Sequence, residues 1–310
     1  MKKALAVATA LLALGLGPLA LSSYQLGLLT KMLIFAIFAM SLNLILGYGG
    51  LPSLGHAAYF GVAAYTIGLL ALRGVTNFWL GIAAALAVAT ATAALFGLLA
   101  LRTQGAYLLM ITLALAQVLW GIAFGWRSFT GGDDGLAGVP RPAAGLPWSL
   151  SDGARFYYLV IIVFAATSAL LALVVRSPFG RALVGIRESE RRMEVLGYNT
   201  WAHKYVAFVL AGALAGVAGI LFVYYNGFVS PAYLSVVLSA TGLIMVILGG
   251  AGTLLGPALG SGLIVFLENA ISAYTQRWLL VLGLIYIAVT LFAPGGLLGL
   301  AGSRRRDRRG

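Results

Sequence analysis

The side chains able to do chemistry are few in this sequence: two histidines, eight carboxylates and no cysteine among 310 residues. Without cysteine there is no thiolate nucleophile and no sulfur metal ligand. His56 has neither a second histidine nor an acid beside it, so it reads as a structural hydrogen-bonding group rather than a ligand or proton carrier. Glu268 is the one acid inside a long apolar stretch, where ionisable groups are functional candidates by default. Asn269 and Arg277 are its expected partners, and structural pairing is favoured over proton coupling. No stretch reads GxxxxGKS or GxxxxGKT, so the chain has no P-loop of its own. A membrane-embedded enzyme needs a constellation that this inventory does not supply. No catalytic residue, metal or cofactor is expected.

The elements that must position these residues are apolar spans. Hydrophobic residues make up 61% of the chain and charged ones 9%, against about 25% charge in soluble domains. Too little charge is present to cover a water-facing surface, so an all-α integral membrane protein is expected. A spanning helix needs about 20 apolar residues. On that measure the charge-free runs divide into ten spans: 4–21, 29–46, 57–72, 78–101, 105–125, 156–175, 204–225, 233–249, 254–270 and 278–293. Residues 1–21 also resemble a signal peptide, but the apolar run is long for one, and a retained anchor is preferred.

Ten spans put both termini on one side. Placing them in the cytoplasm puts fourteen of the twenty Lys and Arg residues inside, including the tail 301–310. The net charge of +12 is thus explained by the positive-inside rule and not by a nucleic-acid partner. Residues 1–300 then form one transmembrane domain. Its two sizeable extramembrane segments are 126–155 outside and 177–203 inside. Neither is large enough for an ATPase, so the energy must come from a gradient or a partner.

The inner segment is the more informative. Pro178 and Gly180 punctuate its start, Gly197 and Asn199 its end. Between them Leu183, Ile186, Met193 and Leu196 share one arc of a 3.6-residue helix, with Arg181, Arg187, Glu188, Arg191 and Arg192 opposite. This is either a solvated loop helix or a docking helix for a cytoplasmic partner. Physics alone leaves the two equal.

Two glycine-rich breaks interrupt the spans. The first carries Asn43, Gly47, Gly49, Gly50, Ser53, Gly55, His56 and Tyr59; the second carries Gly249, Gly250, Gly252 and Gly256. Broken helices at membrane depth survive only where protein or a water-filled cavity satisfies the backbone, and they often frame transport paths. The bland alternative is a tight turn. The glycine and polar content tilts the reading to a path or gate. Residues 44–50 and 246–252 look alike, as a weak parallel repeat would. GxxxG pairs at Gly121/Gly125, Gly212/Gly216, Gly256/Gly260 and Gly295/Gly299 read as helix packing.

At these residues a resemblance enters. Ser41 to Tyr65 is similar to the signature of M-type permease subunits of branched-chain amino-acid ABC importers, the Liv family. Phe179 to Asn199 resembles that family's coupling segment; Gly249 to Gly260 and Pro294 to Gly299 resemble its late glycine motifs. The likeness covers about residues 29–300, in order. It implies a subunit in the inner (plasma) membrane of a prokaryote. The partners would be a homologous second permease, two P-loop ATPase subunits holding ATP and Mg, and an external substrate-binding protein. Gly180, Arg181, Leu183, Ile186, Glu188, Glu190, Arg191, Met193, Leu196 and Gly197 would serve ATPase coupling, the four apolar ones as the dock and the charged ones to set register. The alternative is a gradient-driven carrier or channel for a small polar solute such as urea or an amide. That alternative calls for paired intramembrane charges, and only Glu268 qualifies.

Overall fold

The computed structural model describes residues 17–75, 77–141 and 152–275, together with Gly15 and isolated positions between 277 and 287. The expected spans 4–21 and 278–293 lie largely outside the described residues; the tail 301–310 and the Pro294–Gly299 motif lie wholly outside them.

Helix α1 (Ser23–Asn43) begins at a capping box. The Ser22 hydroxyl accepts from Gln25 N–H while the Gln25 side chain returns to Ser22 N–H, satisfying two orphan donors. The helix therefore starts six residues before the expected boundary, and Lys31 lies inside it. It ends in a π turn, Leu44–Tyr48. After an irregular stretch come α2 (His56–Leu72), α3 (Phe78–Ala100) and α4 (Ala106–Gly125). Then follow α5 (Gly153–Arg176), the short α6 (Pro178–Glu188) and α7 (Glu190–Val195), and α8 (Thr200–Asn226). Asn77, Asp152, Ser177, Ser189 and Asn199 cap the helices that follow them. Helix α8 ends at Gly227, whose φ of 66° is the left-handed stop that glycine adopts without strain. Helices α9 (Val236–Gly249) and α10 (Gly256–Ser272) complete the described part.

Among the described residues five helices are long and apolar enough to cross a membrane: α1 with its π turn, α3, α4, α5 and α8. Helices α2 and α10 have 17 residues each and α9 has 14. At 1.5 Å per residue, α9 reaches about 21 Å, short of the roughly 30 Å hydrocarbon layer. The expected span 233–249 is thus shortened, because Pro231–Leu234 forms a separate 3-10 turn. The segment 126–155 is not plain loop either. Its strand β1 (Leu136–Ala137) pairs antiparallel with β2 (Phe228–Val229), just after α8.

The core is built around α1, α2 and α8. Phe60 meets Phe35 and Phe38 there, and Phe35 in turn meets Phe222, which meets Tyr233, with ring centroids 5.1 to 6.3 Å apart. Glycines set the helix spacing. A Cβ on Gly216 would stand 2.7 Å from Ala89 Cβ of α3, and one on Gly219 would run into the Phe60 carbonyl of α2. Gly212 meets Ala93 in the same way. The Gly121/Gly125 pair differs, since nothing in the described chain lies within 4 Å of either Cβ position. Helices α3, α4 and α5 turn large apolar side chains outward, among them Leu95, Met110, Val118, Ile162 and Leu173. An apolar exterior of this kind suits lipid or another membrane subunit.

Candidate functional site

The two glycine breaks, distant in sequence, meet in space. Asn43, in the last turn of α1, places its amide across the second break. Its Oδ1 accepts from Gly252 N–H at 2.9 Å and its Nδ2 donates to the Thr253 carbonyl at 2.8 Å. Side chains are absent at Gly47 because Gly252 backbone occupies that space. Asn43, Gly47, Gly49, Ser53, Gly55, His56, Tyr59, Gly249, Gly250 and Gly256 are all buried, whereas Gly50 is exposed. As folded here, the breaks form a packed junction that reaches the surface at Gly50 and Ala251.

The start of α2 is fixed by neighbours rather than by its own cap. Ala57 N–H donates to Ser239 Oγ of α9 at 2.9 Å, and Leu54 N–H to Thr112 Oγ1 of α4 at 3.2 Å. The Ser41 hydroxyl donates to the Phe38 carbonyl at 2.7 Å. His56 Nε2 lies 2.8 Å from the same hydroxyl and shares a hydrogen bond with it. His56 Nδ1 and the Tyr59 hydroxyl are buried without a hydrogen-bond partner among the described residues. Among the described residues no acid is hydrogen-bonded to this imidazole, and there is no group of three or more metal-ligating side chains.

The segment 177–203 departs from its expected form. It is two helices, since Ser189 adopts φ −162°, ψ 100° and caps α7. Its apolar arc faces inward. Leu183, Ile186 and Met193 are buried against this chain, and Ala182, Ile186 and Met193 form a small cluster of their own. Leu183 joins the main core of the bundle, whereas Ile186 and Met193 close the segment on itself together with Ala182. Periodicity identified the apolar face but not what covers it. Leu196, at 65% exposed, is the one member of the arc left open, and Val195, Tyr198 and Trp201 stand exposed near it. Gly180 is packed against the carbonyls at the end of α5, and Gly197 takes a left-handed φ of 85° after α7.

Charges hold the segment in place too. Glu190 is bound by Lys204 of α8, and its other oxygen accepts from Gln104 Nε2 at 3.0 Å. Arg181 donates to the Arg176 carbonyl at 3.2 Å. Glu188 and Arg191 are exposed. Sequence reasoning left Arg187 out of the site, yet its guanidinium donates to the Gly47 carbonyl of the first break. Only its place on the polar side of the arc was readable beforehand.

Glu268 pairs with Lys31 of α1 at 3.4 Å, not with Asn269 or Arg277. Both side chains are about one third exposed, at 29% and 31%. Asn269 instead shares hydrogen bonds with Tyr24.

Comparison with known proteins now bears on this arrangement. The family model for the branched-chain amino acid transport system permease component matches residues 24–290. The permease protein LivM of the high-affinity branched-chain amino acid transport system of Escherichia coli is 29% identical over 303 residues, covering 91% of this chain and 71% of that protein. LivM of Salmonella typhimurium gives the same figures. The LivH permease protein of Escherichia coli is 26% identical over 283 residues, covering 86% of this chain and 91% of its own. No solved structure matches. A match that takes in α1 through α10, both breaks and the segment between α5 and α8 makes this multi-pass membrane chain a member of the branched-chain amino acid transport system permease family.

Proposed function

We propose that the chain is the transmembrane permease subunit of an ATP-binding-cassette importer that moves branched-chain amino acids into the cytoplasm. The observation that carries this is the family match over residues 24–290. The substrate is assigned from the names of the relatives, each a permease of a branched-chain amino acid system. A second, homologous permease completes the path, which agrees with similarity to both LivM and LivH. ATP and Mg are bound and hydrolysed on two partner ATPase subunits, and an external protein delivers substrate. The chain crosses the inner membrane of a prokaryote ten times, with both termini inside.

The segment 177–203 is the ATPase dock. Its exposed patch of Val195, Leu196, Tyr198 and Trp201 offers apolar contact, and Arg181, Glu188 and Arg191 set register. Partner closure shifts this segment as a body, and the junction of the two breaks opens or closes the path. The gradient-driven carrier is the weaker reading, because the one intramembrane acid is already neutralised by Lys31 at the protein edge.

Affinity purification from mild detergent, followed by mass spectrometry, tests the proposal. A second permease and P-loop ATPases are expected, with leucine uptake that needs ATP when the complex is placed in vesicles. A homo-oligomer without ATPase, or uptake driven by a gradient alone, overturns it.

A further inference from the structure

The geometry points to Arg187 as the positioning residue that latches the segment 177–203 to both glycine breaks. The starting point is a carbonyl. Gly47 lies in the π turn, and the next donors along the chain are committed elsewhere. Gly49 N–H donates to Leu44, Gly50 N–H to Leu46 and Leu51 N–H to Ile45, at 2.8 to 3.2 Å. The following residue is Pro52, which has no N–H to give. The Gly47 carbonyl is thus an orphan at the end of a helix, and a buried acceptor left without a donor is destabilising. Arg187 supplies the missing donor. A guanidinium suits that place twice over, as a charged hydrogen-bond donor and as a positive charge at a helix C-terminus.

The same side chain reaches the second break. Its stem lies so close to Gly50 that a Cβ there would come within 2.5 Å of Arg187 Cγ. Its terminal nitrogen would be 3.3 Å from a Cβ on Gly252. Arg187 therefore sits between Gly50 and Gly252, while Asn43 ties Gly252 back to α1. Helix α6 carries Arg187 and is itself seated on the bundle by Leu183, which joins the main core. A rigid displacement of α6 must pull on the Gly47 carbonyl or release it. The latch is thus a direct physical link between the segment 177–203 and the breaks. It rests on the permease reading for its function, but its geometry can be measured without it.

The test uses the assembled complex in vesicles and, separately, the full chain in lipid nanodiscs. Arg187→Met is expected to keep assembly and ATP hydrolysis while leucine taken up per ATP falls at least tenfold. Arg187→Lys, which keeps the charge but loses the planar fork, is expected to fall about threefold, and Arg102→Gln, at an exposed arginine outside the segment 177–203, not at all. The chain has no cysteine, so spin labels at Glu188→Cys and Ala251→Cys report alone. Their distance distribution is expected to broaden in the Arg187→Met background. Unchanged uptake per ATP, or an unchanged distribution, overturns the latch. If Arg187→Met does not assemble, Arg187→Lys takes its place in both measurements under the same criteria. If the wild-type complex hydrolyses no ATP, the permease reading fails instead, and the label distances alone decide the latch.

Discussion

Asn43 and Gly252 are joined side chain to backbone, 209 residues apart, and Asn43 serves the next residue as well. One amide satisfies a donor at Gly252 and an acceptor at Thr253, which neither a leucine nor a carboxylate reproduces. Asn43→Leu leaves both groups unpaired in a buried junction, at a cost of roughly 1–3 kcal/mol for each. The expected outcome is a lower Tm in detergent and loss of uptake. Asn43→Asp keeps the acceptor but loses the donor to Thr253, and is expected to fall between. Equal Tm for all three proteins would show that the junction does not depend on this amide.

Glu190 was expected to face a partner, and it faces Lys204. Lys204 is only 8% exposed, so removing the carboxylate strands a shielded ammonium. Breaking a buried pair from one side costs about 3–5 kcal/mol, and the residual exposure here places the expected cost at or below the lower end. Glu190→Gln is expected to destabilise the chain more than the double change Glu190→Gln with Lys204→Met. A thermal-unfolding cycle over the four proteins checks it. Strict additivity would mean that the pair contributes nothing as a pair.

What could be read in advance follows from the range of the forces involved. Helices α3, α4, α5 and α8 came within a few residues of their expected bounds, because apolar length is a local property. The start of α1 lies six residues ahead of the expected 29, because the Ser22 and Gln25 capping box, and not apolar length, sets it. The two breaks were visible as glycine and proline runs, and their mutual likeness hinted at a common role. Their contact through Asn43 was not visible, since no local pattern encodes a partner 209 residues away. The arc of Leu183, Ile186 and Met193 is buried within the chain and is divided between two helices by the break at Ser189, neither of which periodicity reports. An amphipathic helix looks the same whether its own bundle or another protein covers it.

Glycine spacing was legible, yet its meaning differs from one pair to the next. Gly219 abuts the Phe60 carbonyl, so Gly219→Ala forces α8 and α2 apart. Overpacking of this kind costs about 1–3 kcal/mol. Gly121 is a helical glycine with open space around its Cβ position. Gly121→Ala is therefore expected to be neutral or to stabilise by up to about 1 kcal/mol, from helix propensity alone. Unfolding of the isolated chain in detergent should separate the two variants clearly. A comparable loss at Gly121 would contradict the open face of α4.

Glu268 offers the sharpest contrast between a driven permease and a gradient-driven carrier. Its pairing with Lys31 at 3.4 Å, with both side chains about a third exposed, belongs to the class of ion pairs worth about 0–1 kcal/mol. A structural pair predicts that Glu268→Gln changes Tm by no more than a few degrees and leaves ATP-dependent uptake within about twofold. A carboxylate that carried the coupling ion would behave otherwise, because its loss abolishes accumulation however stable the fold. Uptake by wild type and Glu268→Gln is to be compared in vesicles with ATP, and again with an imposed proton gradient and no ATP. The structural pair requires uptake only in the first condition and in both proteins. Gradient-driven uptake that vanishes in Glu268→Gln would make the acid, and not the segment 177–203, the point where energy enters.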